Sequence, residues 1–359
     1  MKVAIIHYWL VNMRGGEKVL QALCELFPNA DIYTHVHDPL ATGRTFENHQ
    51  IRTTFIQKLP GARRFYQNYL PLMPIALDQL DLSGYDLVIS SESGPAKGVK
   101  TTPETLHICY CHTPMRYVWD MYHEYRTNAP WYKRWLIPPI MHYMRQRDIA
   151  SAEKVDYFVA NSRFVAERIK KYYQREAEVI HPPVDVDDFC VSEQQEDYYL
   201  LVGQLVSYKR ADLAVEAFNQ SGRKLVVIGA GEQLKMLKQK AQPNVAIMGR
   251  QPFEVIRHHY SKCRALIFPG EEDFGIVPVE AMASGRPVIA YGRGGALETV
   301  LEGLTGQFFA EQTVASLNEA INSFEADACY DSATIVEHAR KFDKSVFKSQ
   351  FMNLVSRLT

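Results

Sequence analysis

Short apolar runs alternate with helix-length amphipathic stretches through most of the 359-residue chain. The short runs are largely apolar at both alternating positions, as expected for strands buried between two layers of helices. They predict strands at Val3–Tyr8, Asp86–Ser90, Leu106–Tyr110, Tyr157–Ala160, Tyr199–Gly203, Lys224–Ile228, Val245–Met248, Ala265–Phe268 and Pro287–Tyr291. Helical patterns occur at Gly16–Leu26, Asp212–Asn219, Glu232–Lys240, Val314–Phe324 and Ser345–Leu358. Repeated strand–helix alternation over this length predicts an α/β protein with two doubly wound, Rossmann-like domains.

The segment His181-Pro182-Pro183-Val184-Asp185 is the best candidate for a domain boundary, because its two prolines stiffen an extended stretch and end the preceding element. The sequence therefore predicts an N-terminal domain of residues 1–183 and a C-terminal domain of residues 184–341. Residues 342–359 are expected to form a helix that packs back on the first domain. Ligands of open α/β sheets bind beyond the carboxyl ends of the strands, so we expect the chemistry in a central cleft that both domains face.

Composition narrows the class of protein. The formal net charge of -1 argues against general nucleic-acid binding, which needs a basic excess. No run of 18 or more apolar residues predicts a membrane span, and the N-terminus enters a strand without a signal-peptide pattern. The six cysteines are scattered and read as reduced thiols, which favours a cytoplasmic location.

An acidic, glycine-containing loop follows the predicted strand Ala265–Phe268 and leads into a helix expected to begin near Val277. Backbone amides from about Gly275 to Val277, with the positive end of the helix dipole, would form a seat for a diphosphate. Glu272 in the loop and Glu280 one turn inside the helix could accept hydrogen bonds from sugar and ribose hydroxyls. Taken singly, each carboxylate also fits a structural role, as solvated loop charge or as a complement to the helix N-terminus.

Glu272 and Glu280 are separated by seven residues, and with Phe274-Gly275 and the following 281–288 they resemble the retaining glycosyltransferases of family four, which have the GT-B fold. The resemblance implies that Glu272 contacts the donor sugar and Glu280 the nucleotide ribose. It also implies that backbone amides of this loop meet the diphosphate, which assigns donor contacts to Phe274, Gly275, Ile276 and Val277.

A second segment of the C-terminal half, Gln204–Arg210, follows the predicted strand Tyr199–Gly203. A lysine at such a strand end can neutralise the charge that develops on a leaving diphosphate, and Lys209 matches the family's lysine. The family's usual arginine is Gln204 here, and we expect Arg210 to compensate for it. All three residues are therefore donor-binding candidates, whereas a solvated helix start is the structural alternative.

In the N-terminal half, Cys111–Asp120 follows the predicted strand Leu106–Tyr110 and resembles the acceptor-domain segment of the same family. The similarity is greatest to the branch that builds bacterial surface polysaccharides. The resemblance implies that His112 contacts the transferred sugar. Arg116 is a weaker candidate for acceptor binding, because an arginine beside aromatic residues also packs there for structural reasons.

Paired glycines precede the first long helix. Gly15 and Gly16 would let the backbone approach a ligand closely, although a tight turn would explain them too. In the family this loop lies beside the donor phosphate and the acceptor, so Gly16 is a donor-binding and Gly15 an acceptor-binding candidate. Asn161–Arg163, at the end of another predicted strand, is a further candidate.

The resemblance also implies a mechanism with retention of anomeric configuration. No carboxylate stands out as a nucleophile for double displacement, which favours front-face substitution. His112, Lys209 and Glu272 are then the catalytic candidates. We expect no cofactor other than the nucleotide sugar and no metal, since Asp185-Val186-Asp187-Asp188 is better explained as an exposed helix cap than as a metal site.

Substrate identity is less constrained. The polysaccharide branch suggests GDP-mannose and a saccharide or lipid-linked saccharide acceptor, while a UDP-linked sugar stays open. Two basic, aromatic segments, 58–73 and 131–140, would suit peripheral docking on an anionic membrane or mobile acceptor loops. The rival functions are another sugar-nucleotide enzyme, such as an epimerase or phosphorylase, and a degenerate glycosyltransferase that acts as a scaffold, for which the departure at Gln204 is the argument.

Overall fold

Two parallel β-sheets organise the chain in the computed structural model, which describes residues 1–120, 122, 126–127, 131, 134–327 and 330–359. The chain divides into two compact units. The N-terminal unit comprises Met1–Pro183 together with Phe347–Thr359, and the C-terminal unit comprises Val184–Val346. Each unit contains one sheet with helices packed against it.

The N-terminal unit contains a seven-stranded sheet with the order β3-β2-β1-β4-β5-β6-β7. Neighbouring strands are parallel throughout. The order reverses between β1 and β4, and Ile5 of β1 lies opposite both Ile32 and Ile89. The strands are β1 Val3–His7, β2 Asp31–Thr34, β3 Ile51–Thr53, β4 Leu87–Glu92, β5 Leu106–Cys111, β6 Tyr157–Ala160 and β7 Glu178–Val179.

The described helices of this unit flank the sheet. Ser162 shows why one of them begins where it does, because its hydroxyl accepts a hydrogen bond from the Val165 amide and caps the helix. The α-helices are α1 Gly15–Leu26, α2 Pro39–Thr42, α3 Ala62–Phe65, α4 Met73–Leu77, α5 Ile137–Ala152 and α6 Arg163–Tyr173, and 3₁₀ turns lie at Phe55–Lys58 and Tyr66–Leu72.

The C-terminal unit repeats this plan with a six-stranded parallel sheet in the order β10-β9-β8-β11-β12-β13. Its switch point lies between β8 and β11. The strands are β8 Tyr199–Val202, β9 Leu225–Ile228, β10 Val245–Gly249, β11 Leu266–Phe268, β12 Val288–Tyr291 and β13 Gly306–Phe309. The helices are α7 Ala211–Ser221, α8 Leu234–Lys240, α9 Phe253–Lys262, α10 Ile276–Ala283, α11 Ala296–Thr299, α12 Val314–Asp327 and α13 Ser332–Ala339, with 3₁₀ turns at Val186–Asp188, Ser207–Lys209 and Arg340–Phe342.

The last helix, α14 Lys344–Leu358, completes the core of the N-terminal unit. Phe347, Phe351 and Leu354 are buried with strand residues such as Ile5 and Ile108. Each aromatic side chain removed from such a core costs about 3–5 kcal/mol of stability. The chain terminus is therefore tied firmly to the unit in which the chain begins.

The two-sheet α/β architecture predicted from the sequence is confirmed, and all nine predicted strands are present within one or two residues. Four strands escaped the sequence pattern. They are short and include edge strands, where partial exposure weakens the apolar signal. They are Asp31–Thr34, Ile51–Thr53, Glu178–Val179 and Gly306–Phe309.

Candidate functional site

An ion pair lies at the switch point of the C-terminal sheet. Lys209, in the 3₁₀ turn that follows β8, places its Nζ 2.8 Å from Oε1 of Glu272, in the loop that follows β11. Both side chains are 19% exposed, so the pair is neither buried nor freely solvated. The structure thus brings together two residues that are separated by more than sixty positions in the sequence, at the edge where open α/β sheets bind ligands.

Glycines allow the loops around this pair to pack backbone against backbone. A Cβ on Gly270 would lie 2.7 Å from the Cα of Lys209, a distance that no real side chain tolerates. From the other side, the amide of Gly295 donates to the Glu272 carbonyl at 2.8 Å. The backbone that carries Lys209 and Glu272 is therefore held by a close approach that only glycine permits at position 270 and by the Gly295 hydrogen bond.

Helix α10 begins directly after this loop. Gly275 precedes it with φ 87°, in the left-handed region that favours glycine, and has no side chain to cap the first amides. Ile276 and Val277 form the first turn, so their amides belong to the group that lacks intrahelical partners. Their half-buried side chains pack towards the core. Together with the helix dipole, this end of α10 suits an anionic group.

Two other predicted donor residues of this segment are held by the core. Phe274 is 3% exposed and its ring packs against Phe342 at 5.6 Å, so only its backbone is available to a ligand. Glu280 lies one turn inside α10, where Oε2 accepts a hydrogen bond from the buried Tyr260 hydroxyl at 2.9 Å. Burial and the neighbouring Glu280 raise the pKa of Tyr260, which therefore remains a hydrogen-bond donor.

The remaining donor candidates lie on the β8 side. Gln204 is exposed just beyond the strand. Arg210 adopts φ 53° at the start of α7, with its Nε 3.4 Å from Oδ1 of Asp212. Its Nη1 reaches Gln312, whose amide donates to the Pro269 carbonyl at 2.8 Å. Arg210 is thus linked to the loop that carries Glu272, through a glutamine that the sequence pattern did not single out.

His112 lies at the carboxyl end of β5 in the N-terminal unit and belongs to a hydrogen-bonded chain. Its Nε2 is 2.8 Å from Oγ of Ser91, and that Oγ is 3.0 Å from Nδ1 of His7. Asn161 donates to the His112 carbonyl at 2.9 Å. Burial, reinforced by His7, lowers the pKa of His112 to about 3, so the imidazole is neutral at physiological pH.

Gly16 is the predicted site residue that the structure places beside His112. A Cβ there would lie 2.3 Å from the Tyr8 hydroxyl and 3.6 Å from Nε2 of His112. Gly15 is the first residue of α1, and Arg116 is half-buried in the turn that follows His112. The N-terminal unit therefore groups Gly15, Gly16 and His112 around the ends of β1 and β5, with Arg116 in the adjoining turn.

Besides Gln312, two features of the site were missed by the sequence analysis. The run Gly292–Gly295 follows β12 and contacts the Glu272 loop, and its signal was a glycine cluster directly after a buried strand. The Ser91 hydroxyl carried no local signal, because serine in a strand is common and only tertiary packing brings it to His112.

Carboxylates near the boundary are paired with cations. Asp185 lies 2.6 Å from Nζ of Lys344, and Asp187 lies 3.3 Å from Arg340. Over the described residues, no group of three or more histidine, cysteine, aspartate or glutamate side chains has the geometry to hold a metal ion. Within the same residues, every helix is too short or too polar to cross a membrane.

Two protein families match adjoining parts of the chain. Residues 13–188 match the family described as Glycosyltransferase Family 4, and residues 188–345 match Glycosyl transferases group 1. The two matches adjoin and together extend over both sheets. The chain belongs to glycosyltransferase family 4. The family resemblance seen in the sequence is therefore confirmed.

Relatives of this family 4 chain include the alpha-1,3/1,6-mannosyltransferase alg2 of Schizosaccharomyces pombe, 25% identical over 79% of this chain and 61% of that protein. The O-antigen chain mannosyltransferase RfbU of Salmonella typhimurium is 29% identical over 39% of this chain and 43% of that protein. The chain thus spans about half the length of these curated relatives. Anabaena HepE, solved with UDP and glucose, has the same GT-B fold, with a TM-score of 0.75 and 17% identity over 99% of each chain.

Proposed function

We propose that this family 4 glycosyltransferase is a retaining mannosyltransferase that transfers mannose from GDP-mannose to a lipid-linked saccharide. The observation that carries the proposal is the Lys209–Glu272 ion pair beside the N-terminus of α10. Lysine and free helix amides are suited to a diphosphate, and a carboxylate is suited to sugar hydroxyls. Glu280, one turn further along α10, is proposed to bind the ribose.

In the proposed reaction, the bond between the sugar C1 and the β-phosphate oxygen breaks. A bond from the acceptor oxygen to C1 forms on the same face, and the acceptor proton passes to the departing phosphate. Lys209, Arg210 and the α10 amides stabilise the charge that develops on the diphosphate. Glu272 and His112 position the sugar, and no bound metal takes part.

The choice of mannose rests on two relatives whose names describe mannosyltransferases. A second candidate, a UDP-sugar-dependent transfer, is favoured by the UDP bound to the structurally similar Anabaena protein. The site residues described above contact phosphate, ribose and sugar in this scheme, so they do not distinguish the two bases.

The proposed lipid acceptor is supported by exposed apolar side chains on the N-terminal unit. Phe65 and Ile75 are 49% and 45% exposed, and Trp135 is 82% exposed. The segments that carry them are joined, because Leu70 packs in one cluster with Ile140 and its neighbours on α5. Exposed cations accompany these side chains, at Lys58, Arg63, Arg64 and Arg134. Aromatic side chains beside cations are typical of proteins that dock on an anionic bilayer.

Liposome flotation tests this docking. The wild-type chain is expected to float with vesicles that contain phosphatidylglycerol and to float less with phosphatidylcholine alone. Trp135→Ala and the double variant R63Q/R64Q should lower the bound fraction, because they remove an interfacial anchor and two cations worth about 1 kcal/mol each. Leu40→Ala, at a side chain 93% exposed outside these segments, is the matched control. Equal recovery of all variants, or none with either vesicle, would refute the membrane proposal.

The enzymatic test combines donor binding with turnover. GDP and UDP are titrated by calorimetry, and GDP-mannose and UDP-sugars are then assayed with a lipid-linked saccharide acceptor. We expect tighter binding of GDP, product from GDP-mannose, and activity unchanged by EDTA. Glu280→Gln should weaken GDP binding, whereas Glu271→Gln, at a carboxylate of the neighbouring loop, should not. Preference for UDP supports the second candidate, and nucleotide binding without turnover of any donor supports a scaffold.

A further inference from the structure

Four side chains form a buried chain that ends at His112. Glu17 is 2% exposed and His7 and Ser91 are fully buried. Oε1 of Glu17 lies 3.8 Å from Nε2 of His7, Nδ1 of His7 lies 3.0 Å from Oγ of Ser91, and that Oγ lies 2.8 Å from Nε2 of His112. The chain connects α1, β1 and β4 to the residue that follows β5. Both hydrogen bonds of the Ser91 hydroxyl are therefore made to imidazoles.

We propose that Glu17, His7 and Ser91 are positioning residues that fix the tautomer of His112, with the hydrogen on Nε2 and the lone pair on Nδ1. His112 would then present a hydrogen-bond acceptor to a hydroxyl of the transferred sugar. This inference rests on the proposed function only for the identity of that partner. The tautomer itself is a property of the protein without substrate.

The direction of the hydrogen bonds follows from the buried carboxylate. Glu17 already accepts the Arg14 amide at 2.9 Å, and a carboxylate offers only acceptors. Nε2 of His7 has no hydrogen-bond partner among the described residues, so its most favourable state is an N–H directed at Glu17. Nδ1 of His7 must then accept from Ser91, whose oxygen in turn accepts from Nε2–H of His112.

A neighbouring serine–histidine pair shows how this chain differs from a purely structural one. Ser90, the preceding residue of β4, is equally buried, and its Oγ lies 2.9 Å from Nε2 of His107. His107 is fully buried, and its Nδ1 is directed at the Lys154 carbonyl. Both nitrogens of His107 thus end on protein groups. His112, in contrast, is only half-buried, and among the described residues its ring is hydrogen-bonded through Nε2 alone.

The tautomer is measured by nitrogen-15 NMR on the full chain, labelled at histidine, at pH 7 and without substrate. We expect a protonated Nε2 and an unprotonated Nδ1 for His112 in the wild type. Ser91→Ala and Glu17→Gln should move both nitrogen shifts towards those of mixed tautomers, whereas Ser90→Ala should leave them unchanged. A hydrogen on Nδ1 of His112 in the wild type, as a protonated His7 would impose, overturns the proposal.

Kinetics test whether the tautomer matters. Misplacing a group that contacts substrate lowers turnover by about 10- to 100-fold, so Ser91→Ala should lower kcat within that range. GDP affinity, which depends on the C-terminal unit, should stay within about twofold of the wild type, a margin of about 0.4 kcal/mol. Ser90→Ala should retain kcat, and an equal loss in both variants would indicate a general packing defect and overturn the proposal. If the wild type turns over no donor, the proposed function fails, and the NMR result alone decides the positioning chain.

Discussion

Opposite effects on nucleotide binding are expected when the two members of the Lys209–Glu272 pair are replaced one at a time. Lys209→Met should weaken GDP binding, because it removes the cation that the phosphates would contact. Glu272→Gln should strengthen GDP binding, because it removes the carboxylate that occupies that cation in the free protein at 2.8 Å. Transfer should nevertheless fall in both variants, since Glu272 is proposed to hold the sugar.

The magnitudes follow from the partial burial of the pair. A hydrogen bond to a charged group contributes about 1.5–3 kcal/mol, so Lys209→Met should raise the Kd of GDP about 10- to 150-fold. Exposed ion pairs contribute about 0–1 kcal/mol, and a pair at 19% exposure lies somewhat above that range. Removal of the competing carboxylate is therefore worth about 0.5–1.5 kcal/mol, or about a 2- to 10-fold decrease in Kd.

Calorimetric titration with GDP at fixed ionic strength measures both changes, and far-ultraviolet circular dichroism checks that each variant is folded. Glu271→Gln carries the same change in net charge within the same loop and serves as the control for long-range electrostatics. Its Kd should stay near the wild-type value. The reasoning is refuted if Glu272→Gln weakens GDP binding as strongly as Lys209→Met, because Glu272 would then support the phosphate site instead of competing with it.

Two further outcomes concern stability. Gly295→Ala should destabilise the C-terminal unit by about 1–3 kcal/mol and weaken GDP binding, because its Cβ would lie 2.3 Å from the Cα of Phe274. Calorimetric unfolding should show no such loss for Gly292→Ala, whose Cβ would lie 3.4 Å from the Cβ of Phe308, an ordinary van der Waals contact. Burial lowers the pKa of His107 to about 4 and that of His112 to about 3. As the pH falls, the unfolded chain protonates these two histidines at a higher pH than the folded chain does. Their contribution to the free energy of unfolding is therefore complete above about pH 6.5 and is lost towards pH 4, at about 1.4 kcal/mol per pH unit for each histidine. All four tryptophans belong to the N-terminal unit, so denaturation followed by tryptophan fluorescence reports the free energy of unfolding of that unit. Its dependence on pH should show this slope, and His107→Gln should reduce the slope by the equivalent of about one proton. An unchanged slope would contradict the assignment.

Much of the fold could be predicted from the sequence because the central strands are buried on both faces and are therefore apolar at consecutive positions. Residues 3–6 of β1 and Leu266–Phe268, for example, are continuous apolar runs, which are typical of strands buried on both faces. Ile51–Thr53 pairs only at a sheet edge and is half-exposed, so its composition is not distinctive. The edge strands Ile51–Thr53, Glu178–Val179 and Gly306–Phe309 were missed because they are short and their pairing is determined by the completed sheet rather than by local pattern.

The candidate site was predictable to the extent that its residues follow central strands. Lys209 and Glu272 come after β8 and β11, and adjacent parallel strands bring their carboxyl ends together. The burial of Phe274 could not be predicted from the sequence, because an aromatic side chain in a loop can face either the core or the solvent. The roles of Ser91 and Gln312 could not be predicted either, since their partners, His112 and Arg210, are distant in sequence.

The pairing of Lys209 with Glu272 suggests how phosphate recognition and sugar recognition are connected. In the free protein the carboxylate satisfies the ammonium, so neither charge is left unpaired at a partly buried position. In the proposed reaction a diphosphate that engages Lys209 would take over this role and release the carboxylate to accept hydrogen bonds from sugar hydroxyls. We infer that a nucleotide without its sugar leaves Glu272 with neither partner. In the proposed function a complete sugar nucleotide would satisfy both residues, which would account for an acid next to the lysine of a diphosphate site.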